Sequence, residues 1–472
     1  MNHKDWDFVN RQLVAKMLAE LEYEQVFHAE SQGDGRYCIN LPGAQWRFSA
    51  ERGIWGWLWI DAQTLRCADE PVLAQTLLMQ LKPVLSMSDA TVAEHMQDLY
   101  ATLLGDLQLL KARRGLSASD LIDLDADRLQ CLLSGHPKFA FNKGRRGWGK
   151  EALERYAPEY ANTFRLHWLA VKREHMVWRC DSELDIQQLL AAAMDPQEFA
   201  RFNQVWQDNG LDNDWLPLPV HPWQWQQKIS LDFIADLAEG RMVSLGEFGD
   251  LWLAQQSLRT LTNASRQGGL DIKLPLTIYN TSCYRGIPGK YIAAGPLASR
   301  WLQQVFATDA TLKQSGAVIL GEPAAGYVSH EGYAALAQAP YRYQEMLGVI
   351  WRENPCRWLK PDEKKRKNKK KEKKNMPKMC TVATHAERGA PGQKLCRAIR
   401  HVVLRFECDG PIPPAFMNCP AGWTAIKCIP ALQPLPVMMN NSVRRVLSKT
   451  FTTYWGLMLN GTKTHVIGMC AG

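Results

Sequence analysis

With 472 residues, 46% of them hydrophobic and 22% charged, the chain is too apolar for an intrinsically disordered protein and long enough for two or three domains with real cores. Its formal net charge of +8 equals the local excess of Lys364 to Lys374, where nine Lys or Arg face one Glu, so charge gives no support to nucleic-acid binding by the body of the protein. No apolar signal segment opens the chain and no run is long enough to span a membrane, which points to a soluble, cytoplasmic protein without a membrane partner.

Trp6, Val9, Leu13, Met17 and Leu21 recur at helical spacing and predict an amphipathic first helix. From Tyr37 to Ile60 the period falls to two, which predicts a small sheet; the alternating Trp55, Trp57 and Trp59 read as core packing and not as a cofactor box. A polar start at Ser88-Asp89 followed by Val92, Met96, Leu99, Leu103, Leu107 and Leu110 predicts a long helix. Between Ser134 and Trp351 the texture is mixed: a β-like run spans Ile272 to Ile278, and a helix spans Pro196 to Gln207 with Asp195 as its cap. The fold class is therefore α+β. The twelve cysteines include no pair at the two-residue spacing of a zinc or redox motif, so free thiols are expected. Asp123, Asp125 and Asp127 start like a calcium loop, but Arg128 and Ser134 stand where its glycine and final glutamate belong.

Four elements carry chemistry. Gly135-His136-Pro137 precedes Lys143, Arg145 and Arg146 on a glycine-containing loop, a set suited to phosphate because cations offset its charge and imidazole donates a hydrogen bond. His221 stands between Pro219 and Pro222 beside Trp223, and serves equally well as ligand contact or scaffold. Ser257-Leu258-Arg259-Thr260 surrounds a guanidinium with two hydroxyls, a shell for anionic oxygens. Lys273, Thr281-Ser282 and Arg285 follow at the end of a strand-like run. Each is weak alone.

Their order and spacing resemble the siderophore synthetases that work without a nonribosomal peptide template. The match covers residues 1 to 362. It keeps Gly135, His136, Pro137 and Lys143, the His-Pro at His221, the Ser-x-Arg-Thr tetrad at Ser257, Lys273 and the Thr-Ser-x-x-Arg stretch ending at Arg285. It departs at Phe139-Ala140, where the family has a second His-Pro pair. The resemblance implies a hand-like fold: a thumb-like helical domain with a small sheet over 1–130, and a fingers-like α+β domain over 131–362. The palm that should follow is replaced over 363–472 by the lysine run and an unassigned tail without the family's His-Gly-Gln-Asn stretch.

The same resemblance implies an ATP-dependent ligase that condenses a carboxylate of citrate, or of a citrate monoamide already carrying one such unit, with the amine of N6-acetyl-N6-hydroxylysine through a citryl-adenylate, with Mg2+ accompanying the nucleotide. His136 and Arg259 are then catalytic; Lys143, Ser257, Arg259, Thr260 and Lys273 bind ATP; Thr281 and Arg285 bind citrate; no protein metal site is expected. Homo-oligomerisation is left open. A lysine run of the kind that adenine-rich codons encode, followed by dense cysteines and lost periodicity, suits a shifted reading frame and an inactive chain. Two other classes remain: a soluble polyanion-binding protein without turnover, and a protein that binds nucleic acid or a partner through the basic tail.

Overall fold

The first helix forms where the apolar spacing predicts it. Helix α1 (His3–Tyr23) buries Val9, Leu13 and Met17, with Trp6 and Leu21 at the margin of the same core. The computed structural model describes residues 3–358 apart from 54–55, 118–119, 122–123, 137, 182–183, 267, 281–282, 311, 313–318, 337–342 and 344. The lysine run and the tail thus lie outside the described residues, as does Thr281.

The partner of α1 is a five-stranded sheet with two helices. Strands β1 (Glu30–Ser31), β2 (Arg36–Leu41), β3 (Ala44–Arg52) and β4 (Leu58–Ile60) lie in that order, and β5 (Arg66–Cys67) pairs with β3. Helices α2 (Ala74–Val84) and α3 (Asp89–Ala112) complete the layer. Ser88 caps α3 by accepting the Thr91 N–H at 3.1 Å, so the polar start read from the sequence is a true N-cap. The tryptophan stripe is corrected at Trp59; Trp57 is half-buried against Tyr23, and Trp55 lies outside the described residues. Leu58 takes the buried position on β4, and strand alternation then turns Trp59 outward to 52% exposure; the core tryptophan of this layer is Trp46.

The chain continues through β6 (Arg145–Arg146), β7 (Thr163–Lys172), β8 (Val177–Cys180), β9 (Trp215–Val220), β10 (Met242–Ala254), β11 (Thr260–Asn263), β12 (Leu270–Lys273), β13 (Leu276–Asn280) and β14 (Cys283–Arg285). Strands β12, β11, β10, β7 and β9 run side by side, each antiparallel to the next. Strands β14, β13 and β6 form a separate three-stranded sheet. The β-like run from Ile272 to Ile278 is therefore two strands in two sheets, broken at Leu274-Pro275, where proline offers no N–H to a ladder. The helix Pro196–Asp208 starts on Asp195, whose carboxylate accepts the N–H groups of Gln197 and Glu198, both at 2.9 Å.

Two compact units result. One comprises Met1–Val177, Leu190–Gly289 and Tyr327–Val349, and holds every expected site residue that the structure describes. The other comprises Trp178–Leu189, Lys290–Gly326 and, among the described residues, the chain from Ile350; within it Arg300 pairs with Asp181 at 2.7 Å. Among the described residues no helix is long and apolar enough to cross a membrane.

Candidate anion site

The β11–β12 hairpin joins two motifs that lie apart in sequence. Its register sets Thr260 opposite Lys273 and Leu261 opposite Ile272. Because side chains alternate across a strand, Leu261 and Ile272 enter the core while Thr260 and Lys273 share the other face. Just before β11, the Ser257 hydroxyl accepts the Thr260 N–H at 3.1 Å and closes a tight turn.

Leu258 inside that turn adopts φ +67°, a left-handed conformation that costs a β-carbon residue about 1–3 kcal/mol. Complete burial of its side chain and the Leu258 N–H to Gln255 carbonyl bond at 2.9 Å hold it there. The turn sends Arg259 toward β14, where its guanidinium donates to the Gly286 carbonyl. The Arg259 carbonyl accepts from the Leu274 N–H at 2.7 Å, which ties the tetrad to the residue after Lys273.

Arg285 and the His136 loop meet through the three-stranded sheet. Arg285 pairs with Leu276 and donates to the Asn280 carbonyl at 2.9 Å, while Asn280 pairs in turn with Arg145. Gly135 has φ +89°, and an added β-carbon there would meet the Asn142 side chain at 2.9 Å, so only glycine fits. Asn142 instead donates to the carbonyls of Ser134 and His136, at 2.8 and 3.0 Å.

The His136 ring packs 4.7 Å from Phe139, and its Nδ1 accepts the Lys138 N–H at 3.1 Å. The proton of the neutral ring is thereby assigned to Nε2, leaving that nitrogen as the donor. Burial, followed by Lys16, Arg285 and Lys138, lowers the imidazole to about 4, so it is neutral at physiological pH within a cationic neighbourhood.

The remaining cations of this loop are engaged in the scaffold. Lys143 is 1% exposed, and its ammonium donates to Asp106 at 2.6 Å, to the Ser134 carbonyl at 2.7 Å and to Asn142 at 3.2 Å, one acceptor for each N–H. Arg145 grips Glu159 through two bonds of 2.6 and 3.0 Å between buried side chains. Burial would raise the Glu159 carboxyl, but Arg145 outweighs it and the group lies below its usual range. Arg146 lies 3.2 Å from Asp98, also pairs with Glu94, and covers the Tyr279 ring at 4.1 Å.

His221 is scaffold. It is fully buried, ringed by Trp148, Tyr156 and Phe164 at centroid distances of 6.2, 4.7 and 4.9 Å. Its Nδ1 accepts the Trp223 N–H at 3.2 Å, and burial, then Arg155, lowers it to about 3. Among the described residues no group of three or more His, Cys, Asp or Glu side chains could hold a metal ion.

Lys16 on α1 escaped the sequence reading. Its ammonium donates to the His136 carbonyl at 2.8 Å across a separation of 120 residues, and no motif spacing announces such a contact.

A family model described as the IucA / IucC family matches residues 125–368. The chain belongs to the IucA / IucC family. Over 363 residues it is 92% identical to the aerobactin synthase of Escherichia coli, an alignment covering 77% of this chain and 63% of that relative. The chain thus spans under two thirds of the relative's length. Among solved structures, aerobactin synthetase IucC from a hypervirulent pathotype of Klebsiella pneumoniae matches with a TM-score of 0.70 at 94% identity, over 77% of this chain and 64% of that one. ATP-bound aerobactin synthetase IucA from the same pathotype matches at 0.54 with 19% identity, over 74% and 61%, and shares the fold. Every expected site residue falls inside the IucA / IucC segment, and Lys16 lies outside it.

Proposed function

We propose that this chain carries the ATP- and citrate-binding part of an aerobactin synthase. The relatives named above supply the enzyme class, and the ATP-bound IucA structure supports use of that nucleotide. The observation that carries the reading is the convergence of Ser257, Arg259, Thr260 and Lys273 on one hairpin, with Arg259 bonded to the residue that follows Arg285.

A carboxylate is a poor acyl donor, so amide formation requires activation. In the proposed reaction a citrate oxygen attacks the α-phosphorus of ATP, giving citryl-adenylate and pyrophosphate, and the amine of N6-acetyl-N6-hydroxylysine then displaces AMP. Arg259 and Lys273 neutralise phosphate charge, Ser257 and Thr260 donate hydrogen bonds, and His136 donates from Nε2 to the oxygen on which charge grows. Arg285 and Thr281 take the citrate carboxylates. Mg2+, if bound with the nucleotide, would help to offset phosphate charge. Lys143 contributes by fixing the His136 loop to α3. We assign the thumb-like role to 1–130 and the fingers-like role to 131–362.

Residues beyond the matched region bear on turnover. The relative aligns with 77% of this chain and the carboxy-terminal region is unmatched, which favours a second reading in which the chain binds ATP and citrate without acyl transfer. Pyrophosphate release by the 472-residue chain separates the two. Release that requires both citrate and amine identifies the ligase; calorimetric binding of ATP and citrate without release identifies the binding protein; no binding of either refutes both.

A further inference from the structure

We propose that Lys16 is a further anion-contacting residue of this site, meeting the phosphate or carboxylate oxygens that lie between His136 and Arg285. The inference rests on the reading of the site as a polyanion pocket and adds a side chain from α1, outside the family-matched segment.

The geometry begins with the loop. Lys16 approaches from the flank of α1 beside buried Ala15 and Met17, and one of its N–H groups is directed to the His136 carbonyl at 2.8 Å. That contact sets the ammonium beside the same residue whose ring also senses Arg285. The surrounding charges separate into pairs. On α3 and the loop, Asp106 and Lys143 bond to each other at 2.6 Å. Lys138 pairs with Glu24 at the end of α1.

Glu20, one helical turn beyond Lys16, is the carboxylate left to answer it. Burial raises Glu20 to about 7 even though Lys16 and Lys138 pull it down, so near neutrality it is only partly ionised. Burial also lowers the Lys16 amine to about 8, with Glu20 and Asp106 opposing the shift and Lys143 adding to it. Lys16 thus stands beside a neutral imidazole and an acid that burial pushes toward its neutral form, with a backbone carbonyl as its hydrogen-bond acceptor. An anionic oxygen would relieve that arrangement, and a clamp on one carbonyl would not need the charge.

Lys16→Gln makes the distinction, because an amide can still donate to the His136 carbonyl but carries no charge. ATP and citrate are titrated separately into the 472-residue chain by calorimetry, with Arg259→Ala as the reference variant. We expect Lys16→Gln to weaken one of the two ligands by about tenfold or more, as for loss of a charge-assisted contact. Loss confined to ATP identifies a phosphate contact, and loss confined to citrate a carboxylate contact. Lys16→Arg should retain affinity.

The pH dependence has a defined sign. A bound anion favours the ammonium, so the wild-type affinity should fall as pH rises through 8 toward 9.5, and Lys16→Arg should flatten this limb. Glu20→Gln removes the separate change near pH 7 that ionisation of Glu20 adds. Unchanged affinity for both ligands in Lys16→Gln overturns the inference, as does a flat wild-type profile above pH 7.5 should that variant not fold. If the wild type binds neither ligand, the polyanion reading fails with it; if Arg259→Ala loses affinity and Lys16→Gln does not, only Lys16 is wrong.

Discussion

Two sets of cations stand out in the sequence, Lys143, Arg145 and Arg146 on one loop and Arg259 and Arg285 around a hairpin, and their described contacts differ in kind. In the first, each cation meets an acid: Lys143 with Asp106, Arg145 with Glu159, Arg146 with Asp98. Around the hairpin, Arg259 and Arg285 donate to the main-chain carbonyls of Gly286 and Asn280, contacts that orient a guanidinium, while Arg266 between them in sequence pairs with Asp250. A buried acid turns a cation into scaffold, whereas a carbonyl aims it. The distinction matters because the loop cations are the more conspicuous in sequence, yet Lys143 and Arg145 are buried against acids.

The largest effect should come from breaking a scaffold pair. Arg145→Ala leaves Glu159 as an unpaired buried charge and should cost about 3–5 kcal/mol of stability in urea unfolding of the full chain. Wild-type stability in that variant would break the comparison. Truncating Arg259 or Arg285 should show in ligand binding. Arg259→Ala should chiefly weaken ATP and Arg285→Ala chiefly citrate, each by about 1.5–3 kcal/mol in calorimetric titration. Equal affinity for both ligands in both variants would remove these residues from the site.

His136 should affect rate more than affinity. In a full-length relative assayed by pyrophosphate exchange, His136→Ala should lower the exchange rate while ATP affinity stays within a few-fold, since charge grows on the phosphate only in the transition state. As its imidazole is lowered to about 4, it contributes no titration limb between pH 5.5 and 8, and a wild-type limb near 6.5 that disappears in this variant would contradict its buried, neutral state. The smallest effect concerns charge without placement. Deleting Lys364 to Lys374 removes a formal excess of eight positive charges but none of the residues assigned to the site, and ATP and citrate affinities should change less than about twofold at physiological salt. Affinity for nucleic acid that this deletion abolished would instead support the tail-binding alternative.

Much of the secondary structure was legible because it depends on local spacing. Trp6 to Leu21 named the buried face of α1, Ser88 capped α3, and Asp195 capped the helix at Pro196. Misreadings arose where local pattern allowed two outcomes. The alternation around Trp57 and Trp59 is equally compatible with Leu58 inside, and the core chose leucine. The run through Ile272 to Ile278 kept its period across Pro275, although the chain changed sheets there. For the site, motif order drew attention to a set of residues but could not say how the fold engages each one. Lys143 matched the motif and is buried against three acceptors, while Lys16 matched none and reaches the His136 carbonyl.

The sequence by itself determined the family, the α+β class and the residues that could carry charge to an anion, because these follow from motif order, hydrophobic period and side-chain chemistry. Only the tertiary structure decided which of the conspicuous loop cations are paired with acids. Whether a lysine or arginine is neutralised depends on the acid the fold places within about 3–4 Å of it, and those partners, such as Asp106 for Lys143 and Asp98 for Arg146, arrive from a helix more than thirty residues away in the chain.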